Sequence, residues 1–137
     1  MYKLHRQLKQ DTFYLGHLKL CDVLLMNDAR YPWVILVPRR ENITEVFQLS
    51  DADQYLLSTE SAFVAKQLSS LVVADKMNVA ALGNIVSQLH IHHVARYQTD
   101  EAWPAPIWGT GSTVTYSEGE SLAVAEQMKM VLKELLE

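Results

Sequence analysis

Two short apolar runs, separated by a polar turn, limit the folds that are open to this chain. Residues 23–26 and 33–37 are each unbroken and of strand length, and residues 27–32 between them contain the Asn, Asp and Pro that favour a turn. A parallel crossover needs about a dozen residues or more, which is longer than this connection. The two runs are therefore predicted to pair as an antiparallel hairpin, and Pro38 ends its second strand.

The rest of the chain contains two long helical patterns and several strand candidates. Ser50 supplies an N-cap hydroxyl, acidic residues follow it, and apolar residues recur at helical spacing up to about Val72. A similar stripe predicts a final helix from Ser117 or Ser121 to Leu136. Because hairpins dominate this order of elements, the predicted fold class is α+β, with a mainly antiparallel sheet and two main helices. The shorter elements predicted are a helix within residues 1–10 and strands at 12–18, 77–82 and 89–97.

Length and composition predict one domain. The chain has 137 residues, of which 49% are hydrophobic, and this supply of apolar side chains fills one core. We therefore expect a single domain over residues 1–137. Its core is expected at about residues 12–97, followed by a C-terminal loop and helix over residues 98–137.

Charge and cysteine content narrow the class of partner. The formal net charge of −4 argues against binding to nucleic acid and to anionic membrane surfaces, because both require a positive surface. The first ten residues lack the apolar stretch of a signal peptide, and no run approaches the roughly 20 residues that span a bilayer. Cys21 is the single cysteine, which precludes an internal disulfide. A cytoplasmic location is expected.

Three polar residues alternate along the strand predicted at residues 89–97 and just before it. Gln88, His90 and His92 share one face, because alternate side chains of a strand point the same way. Burying two imidazoles and an amide without partners costs about 1–3 kcal/mol per group. This face is therefore predicted to line a wet or ligand-filled site. His93 points to the opposite face, where it is expected beside a helix or at a subunit contact.

Four interpretations of this polar face are open from the residues alone. Its histidines are solvent-facing or satisfied core residues, they chelate zinc, one of them attacks a phosphate or acyl group, or the face binds a nucleotide without turnover. Zinc requires a third and usually a fourth ligand, and no other His, Asp or Glu offers the expected spacing, so no metal site is predicted. Imidazole is suited to nucleophilic attack because it titrates near neutral pH.

The same residues resemble the signature of the histidine triad (HIT) superfamily, His-φ-His-φ-His-φ-φ, in which φ is apolar. Gln88 stands at the first triad position, His90 at the second and His92 at the third. Upstream, residues 25–28 and 34–40 look like the ribose-binding turn and the strand that follows it in this family. The resemblance covers residues 12–97 and implies a HIT-like fold.

Downstream, the Trp- and Pro-rich segment at residues 102–109 resembles a bacterial HIT-like subgroup, here with glutamine in the first triad position. Two roles are open for Trp103 and Trp108. They anchor the loop, or they stack on a base and close over the pocket.

The resemblance implies chemistry at the α-phosphate of a nucleotide. By position, His90 is the nucleophile that forms a covalent nucleotidyl-histidine, which water then hydrolyses. His92 hydrogen-bonds the phosphate or the leaving group, and Gln88 is the third of the catalytic positions. The residues implied in nucleotide binding are Asn27 and Asp28 at the ribose and Asn84 and Ser87 at the phosphate.

The implied function is that of a HIT-type hydrolase or transferase acting on a nucleoside phosphoramidate or dinucleoside polyphosphate, in a homodimer. No cofactor is expected to be required, although Mg²⁺ is compatible with a polyphosphate substrate. The alternative is a nucleotide-binding or regulatory module with little or no turnover. Two departures favour that alternative: the amide of Gln88 cannot titrate, and Pro32-Trp33 stands where many members carry a Gly-His pair.

Overall fold

A computed structural model, which describes residues 1–137, contains five strands and three α-helices. Every predicted strand and helix is present, and the strand bounds agree with prediction to within two residues. In chain order the elements are α1 (Arg6–Asp11), β1 (Thr12–His17), β2 (Cys21–Met26), β3 (Trp33–Pro38), a 3₁₀ turn (Val46–Gln48), α2 (Asp51–Val72), β4 (Lys76–Ala81), β5 (Ile91–Arg96) and α3 (Glu118–Leu132).

The strands form one antiparallel sheet in the order β1-β2-β3-β5-β4. Strands β2 and β3 form the predicted hairpin, with Leu24 opposite Ile35. Strand β5 inserts between β3 and β4, which places Ile35 opposite His92. The α+β class, the antiparallel sheet and the two main helices are therefore confirmed, and the histidine strand lies in the interior of the sheet.

The two main helices begin where side-chain caps predict. Ser50 Oγ accepts the N–H of Asp53 at 3.1 Å at the start of α2. Ser117, and not Ser121, starts α3, because Ser117 and Glu120 cap each other's main-chain N–H groups. None of the three helices combines the length and the apolar character that crossing a membrane requires.

Helix α3 ends at Leu132, earlier than the predicted Leu136. The chain turns there and returns to strand β1, where the N–H of Glu137 donates to the carbonyl of His17 at 2.8 Å. Leu136 packs so close to Gly16 that a Cβ on this glycine would lie 3.3 Å from the leucine side chain. Packing against the sheet thus replaces the last helical turn.

Both faces of the sheet are covered, and the side chains of β5 alternate between them. Ile91 and Ala95 join the core under helices α2 and α3. Val94 joins a second, smaller core, which the N-terminal residues and the segment between β5 and α3 cover. His92 lies on the side of this second core, two positions before Val94. The site therefore lies on the face of the sheet opposite the two main helices.

Candidate functional site

His90 and His92 lie side by side at a cavity of about 400 Å³ on this face. Their ring centroids are 4.8 Å apart and the rings meet nearly edge to face. His92 belongs to β5, whereas His90 immediately precedes the strand, which begins at Ile91 and not at residue 89. The walls of the cavity are mainly apolar, and they include Leu8, Met26, Ile35, Ile85, Val86 and Trp108.

The main chain orients His90. Its Nδ1 lies 2.7 Å from the carbonyl oxygen of Gln88. A carbonyl oxygen only accepts hydrogen bonds, so Nδ1 carries the proton and donates. In the neutral ring, Nε2 then carries the free lone pair.

The side chain of Trp33 contacts His92. Trp33 Nε1 lies 3.0 Å from His92 Nδ1 and donates a hydrogen bond to it. Burial, together with the neighbouring rings of His90 and His93, lowers the pKa of His92 to about 3. The ring of His92 is therefore neutral at physiological pH.

The Nε2 atoms of both histidines are open to the cavity. Neither atom has a hydrogen-bond partner within the protein. The only side-chain nitrogen or oxygen that is both buried and without a partner is Tyr31 Oη, so neither Nε2 atom is buried. Nε2 of His90 and Nε2 of His92 must therefore reach accessible space, and both rings line the cavity. Two ring nitrogens consequently face any ligand that enters.

The side chain of Gln88 turns away from the two rings. Its Oε1 accepts the N–H of His5 at 2.8 Å, and its Nε2 donates to the carbonyl of Lys3 at 2.8 Å. Of the three predicted catalytic residues, the structure thus brings together the side chains of His90 and His92. Gln88 contributes only its main-chain carbonyl, which contacts His90. The amide of Gln88 holds the N-terminal segment against the site.

Asn84 and Ser87 lie beside the histidines, on the loop that leads into β5. Together with Gln88 and His90 they line a polar groove of about 170 Å³ next to the cavity. Asn84 borders both spaces. Neither side chain takes part in a hydrogen bond within the protein, so both are free to contact a ligand.

Asn27 and Asp28 do not line the histidine cavity, because other contacts within the protein hold both side chains. Asn27 Oδ1 accepts the N–H of Tyr116 at 2.9 Å. Its amide nitrogen has no partner and borders a neighbouring groove of about 280 Å³. Asp28 is fully buried, and its carboxylate pairs with Arg30 at 2.8 Å. Arg30 continues to the carbonyl of Thr110 at 2.8 Å, so this turn fastens the segment after β5.

The two tryptophans of that segment have different positions. Trp108 lines the cavity, and its ring centroid is 5.1 Å from that of His92. Trp103 lies against the guanidinium of Arg96 at 5.7 Å and does not border the cavity. Of the two tryptophans, only Trp108 is therefore in a position to contact a ligand, whereas the contact of Trp103 with Arg96 is that of a loop anchor.

His93 lies on the helical face, as its position in the strand predicts. Its Nδ1 donates to the carbonyl of Val34 at 3.2 Å, and its Nε2 accepts from the hydroxyl of Ser61 in α2 at 2.7 Å. Burial lowers the pKa of His93 to about 4. His93 thus links helix to sheet as a neutral ring and does not reach the cavity.

Besides its apolar walls, the cavity is bordered by residues that the sequence analysis did not assign to the site, among them the polar Gln7 of α1. Asp11, at the end of α1, lines the cavity, and Trp33 contacts His92 directly. The replacement of the Gly-His pair by Pro32-Trp33 marks position 33 in the sequence, but no local pattern marks Asp11. No three His, Cys, Asp or Glu side chains come together in a group that would hold a metal ion.

Comparison with known proteins agrees with this geometry. The HIT domain model matches residues 7–99, more than half of the chain. A histidine triad protein from Marinobacter aquaeolei VT8 is 48% identical, with a TM-score of 0.96 over 98% of each chain. A histidine triad (HIT) protein from Sinorhizobium meliloti 1021 is 43% identical, with a TM-score of 0.93 over 96% of this chain and 98% of that one.

A third crystal structure, of a histidine triad protein from Bradyrhizobium japonicum, is 40% identical, with a TM-score of 0.91 over 94% of this chain and 96% of that one. The search of curated proteins gives no match. Since the domain model and the three structures agree in sequence as well as in fold, the chain belongs to the HIT domain family.

Proposed function

We propose that this protein is a nucleotide-binding HIT-family hydrolase or transferase that acts at an α-phosphate through a covalent nucleotidyl-histidine at His90. The substrate class is a nucleoside phosphoramidate or a dinucleoside polyphosphate. One observation carries the proposal: Nδ1 of His90 donates to the carbonyl of Gln88, while Nε2 of the same ring faces the cavity. A nucleophilic imidazole requires this arrangement of its two nitrogens.

The reaction proceeds in two displacements at phosphorus. The Nε2 lone pair of His90 forms a P–N bond while the bond from phosphorus to the leaving group breaks, and the leaving group departs with the electron pair. An amine leaving group takes a proton from solvent. A water oxygen then displaces Nε2 and releases a proton, which regenerates the ring. In a transferase, a second acceptor takes the place of this water. The carbonyl of Gln88 stabilises the positive charge that develops on the ring.

The two spaces beside His90 suit the two halves of such a substrate. The apolar cavity accommodates the nucleoside, and the polar groove of Asn84 and Ser87 accommodates the phosphate oxygens and leaving group. We assign a ribose contact to Asn27 through its unpartnered amide nitrogen, because its groove shares Asp11 with the cavity. Asp28 takes no part in this assignment, since Arg30 occupies its carboxylate.

Several further properties are part of the proposal. The chain belongs to the bacterial subgroup with glutamine in the first triad position, it forms a homodimer, and it does not bind nucleic acid, in keeping with its net charge of −4. No metal is required for attack by His90, and Mg²⁺ enters only as the counterion of a polyphosphate. A cytoplasmic location is supported by a sole cysteine, Cys21, that is buried and unpaired.

A nucleotide-binding module with little turnover is the second candidate. The hydrogen bonds of Gln88 favour it, because they hold this amide on the N-terminal segment and leave only two histidines at the cavity. Binding without turnover needs the same cavity and groove but not the nucleophile.

The experiment that tests the proposal uses adenosine phosphoramidate and diadenosine tetraphosphate as substrates. The wild type is expected to release AMP, and mass spectrometry of an acid-sensitive adduct is expected to locate the nucleotide on His90. His90→Ala removes the nucleophile and abolishes turnover, whereas the matched control His17→Ala changes a histidine of β1 that borders neither space and retains it. Turnover by His90→Ala contradicts the mechanism. Nucleotide binding without turnover by the wild type selects the second candidate.

A further inference from the structure

We propose that Trp33 is a positioning residue that fixes His92 as the tautomer with its proton on Nε2, so that this N–H points into the cavity towards a phosphoryl oxygen. The inference rests on the proposed function for its consequence in catalysis. The tautomer itself follows from contacts within the protein.

The hydrogen bond between the two rings has only one possible direction. The indole nitrogen of tryptophan donates and never accepts. Trp33 Nε1 lies 3.0 Å from His92 Nδ1, so Nδ1 must offer its lone pair. A neutral imidazole has one ring proton, which therefore resides on Nε2. Because Nε2 has no partner in the protein and His92 lines the cavity, this N–H is available to a ligand.

The sheet places the two rings in register. Trp33 pairs with Val94 across β3 and β5, while His92 pairs with Ile35, so Trp33 and His92 are diagonal neighbours on one face. Trp33 is buried, with 5% of its surface exposed, and water does not compete for the hydrogen bond. The position of the donor is therefore set by strand pairing and not by a mobile loop.

A second aromatic ring restricts His92 from another side. Trp108 approaches His92 with centroids 5.1 Å apart and meets Trp33 nearly perpendicularly at 6.0 Å. His92 thus lies against two indoles, which oppose a flip of its ring. Burial keeps the pKa of His92 near 3, so the ring donates a hydrogen bond from Nε2 without a positive charge.

The tautomer decides whether His92 attracts or repels the substrate. With the proton on Nε2, the ring donates to a phosphoryl oxygen as negative charge develops there. With the proton on Nδ1, the Nε2 lone pair would face the same oxygen and repel it. His92 therefore stabilises the phosphoryl group as a hydrogen-bond donor and is not the acid that protonates the leaving group.

The test compares Trp33→Phe with Trp108→Phe. The first change removes the N–H that reaches His92, and the second changes an indole that contacts the same ring but makes no hydrogen bond to it. Two-bond ¹H–¹⁵N correlation spectra of the histidine rings report the tautomer. We expect the Nε2–H pattern for His92 in the wild type and in Trp108→Phe, and a mixture of tautomers in Trp33→Phe. We also expect kcat to fall about tenfold in Trp33→Phe, the effect of one hydrogen bond, with nucleotide affinity within about twofold of wild type.

An isosteric replacement provides a second route if Trp33→Phe does not fold. Site-specific incorporation of benzothienylalanine at position 33 retains the shape of the indole and removes only its N–H. An Nδ1–H pattern for His92 in the wild type, or an unchanged Nε2–H pattern in the variant that lacks the indole N–H, overturns the inference. If the wild type shows no turnover, the proposed function fails, and the spectra alone decide the role of Trp33.

Discussion

Replacement of Arg96 by methionine is expected to destabilise the protein strongly and to open the site. Arg96 is 1% exposed and lies on the site face of β5. Its guanidinium donates to both carboxylate oxygens of Asp100 at 2.7 and 3.0 Å, to Asn78 Oδ1 at 2.7 Å and to the carbonyl of Ala105 at 2.8 Å. These contacts hold the segment that places Trp108 at the cavity.

The expected loss in free energy of unfolding follows from the Asp100 carboxylate, which Arg96→Met leaves without its partner. The side chain of Asp100 is 5% exposed, and removing one partner of a buried ion pair costs about 3–5 kcal/mol. That is a large part of the roughly 5–15 kcal/mol by which domains of this kind are stable. Methionine keeps most of the apolar length of arginine, so the loss reports the charge and hydrogen bonds.

The ion pair of Arg96 and Asp100 also predicts that the free energy of unfolding depends on pH. Hydrogen bonds from Arg96, assisted by the main-chain N–H groups of Tyr97 and Trp103, lower the pKa of Asp100 from 3.8 to about 2. A carboxylate with a lowered folded pKa stabilises the protein above about pH 4, and this contribution, about 2 kcal/mol, is lost as the pH falls through 2. Arg96 is the largest cause of the lowered pKa, so Arg96→Met loses most of this contribution. The difference in free energy of unfolding between wild type and Arg96→Met is therefore expected to narrow by up to about 2 kcal/mol between pH 5 and pH 2.

Urea denaturation followed by tryptophan fluorescence measures both effects. Arg40→Met is the matched control, because Arg40 also makes a two-oxygen pair, with Asp53, but its side chain is 44% exposed. An exposed pair contributes about 0–1 kcal/mol. Equal losses in the two variants at pH 7, or a difference between wild type and Arg96→Met that stays constant with pH, would refute the reasoning.

Three further changes test other contacts. Glu60→Ala leaves two main-chain N–H groups at the β1–β2 turn without their buried acceptor, and we expect thermal denaturation to show a loss of about 2–4 kcal/mol. Gln88→Ala releases residues 3–5, and faster amide exchange confined to the N-terminal segment is the expected result. Ser61→Ala removes the partner of His93 and costs about 1 kcal/mol in urea denaturation, while AMP release stays at the wild-type rate.

Local patterns in the sequence predict most of the fold. The apolar runs that form β2 and β3 are separated by a turn too short for a crossover, which leaves only an antiparallel pair. The start of helix α2 at Asp51 is predictable because the Ser50 cap and the apolar stripe are both local. Local sequence does not determine the end of α3. It depends on the packing of Leu136 against Gly16, a contact between distant parts of the chain.

In the candidate site, too, the features set by local sequence are predictable and those set by distant contacts are not. Alternation along one strand predicts that His90 and His92 share a face, and both line the cavity. The amide of Gln88 belongs to the same pattern, but its orientation is decided by residues 3–5, more than 80 positions away along the chain. Asp28 is bound by its near neighbour Arg30, but the position of Arg30 depends in turn on the carbonyl of Thr110, 80 residues further along the chain. Such distant partners leave no periodic trace in the sequence.

The three consecutive side chains from Ile91 to His93 give β5 a safeguard against misfolding. A slip of this strand by one residue would present Ile91 and His93 to the cavity and would press His92 into the leucine-rich layer beneath α2. There His92 would lose the indole of Trp33, and His93 would lose the hydroxyl of Ser61. Both imidazoles would lose their partners at once, so the histidines of this strand also oppose a shift in its register during folding.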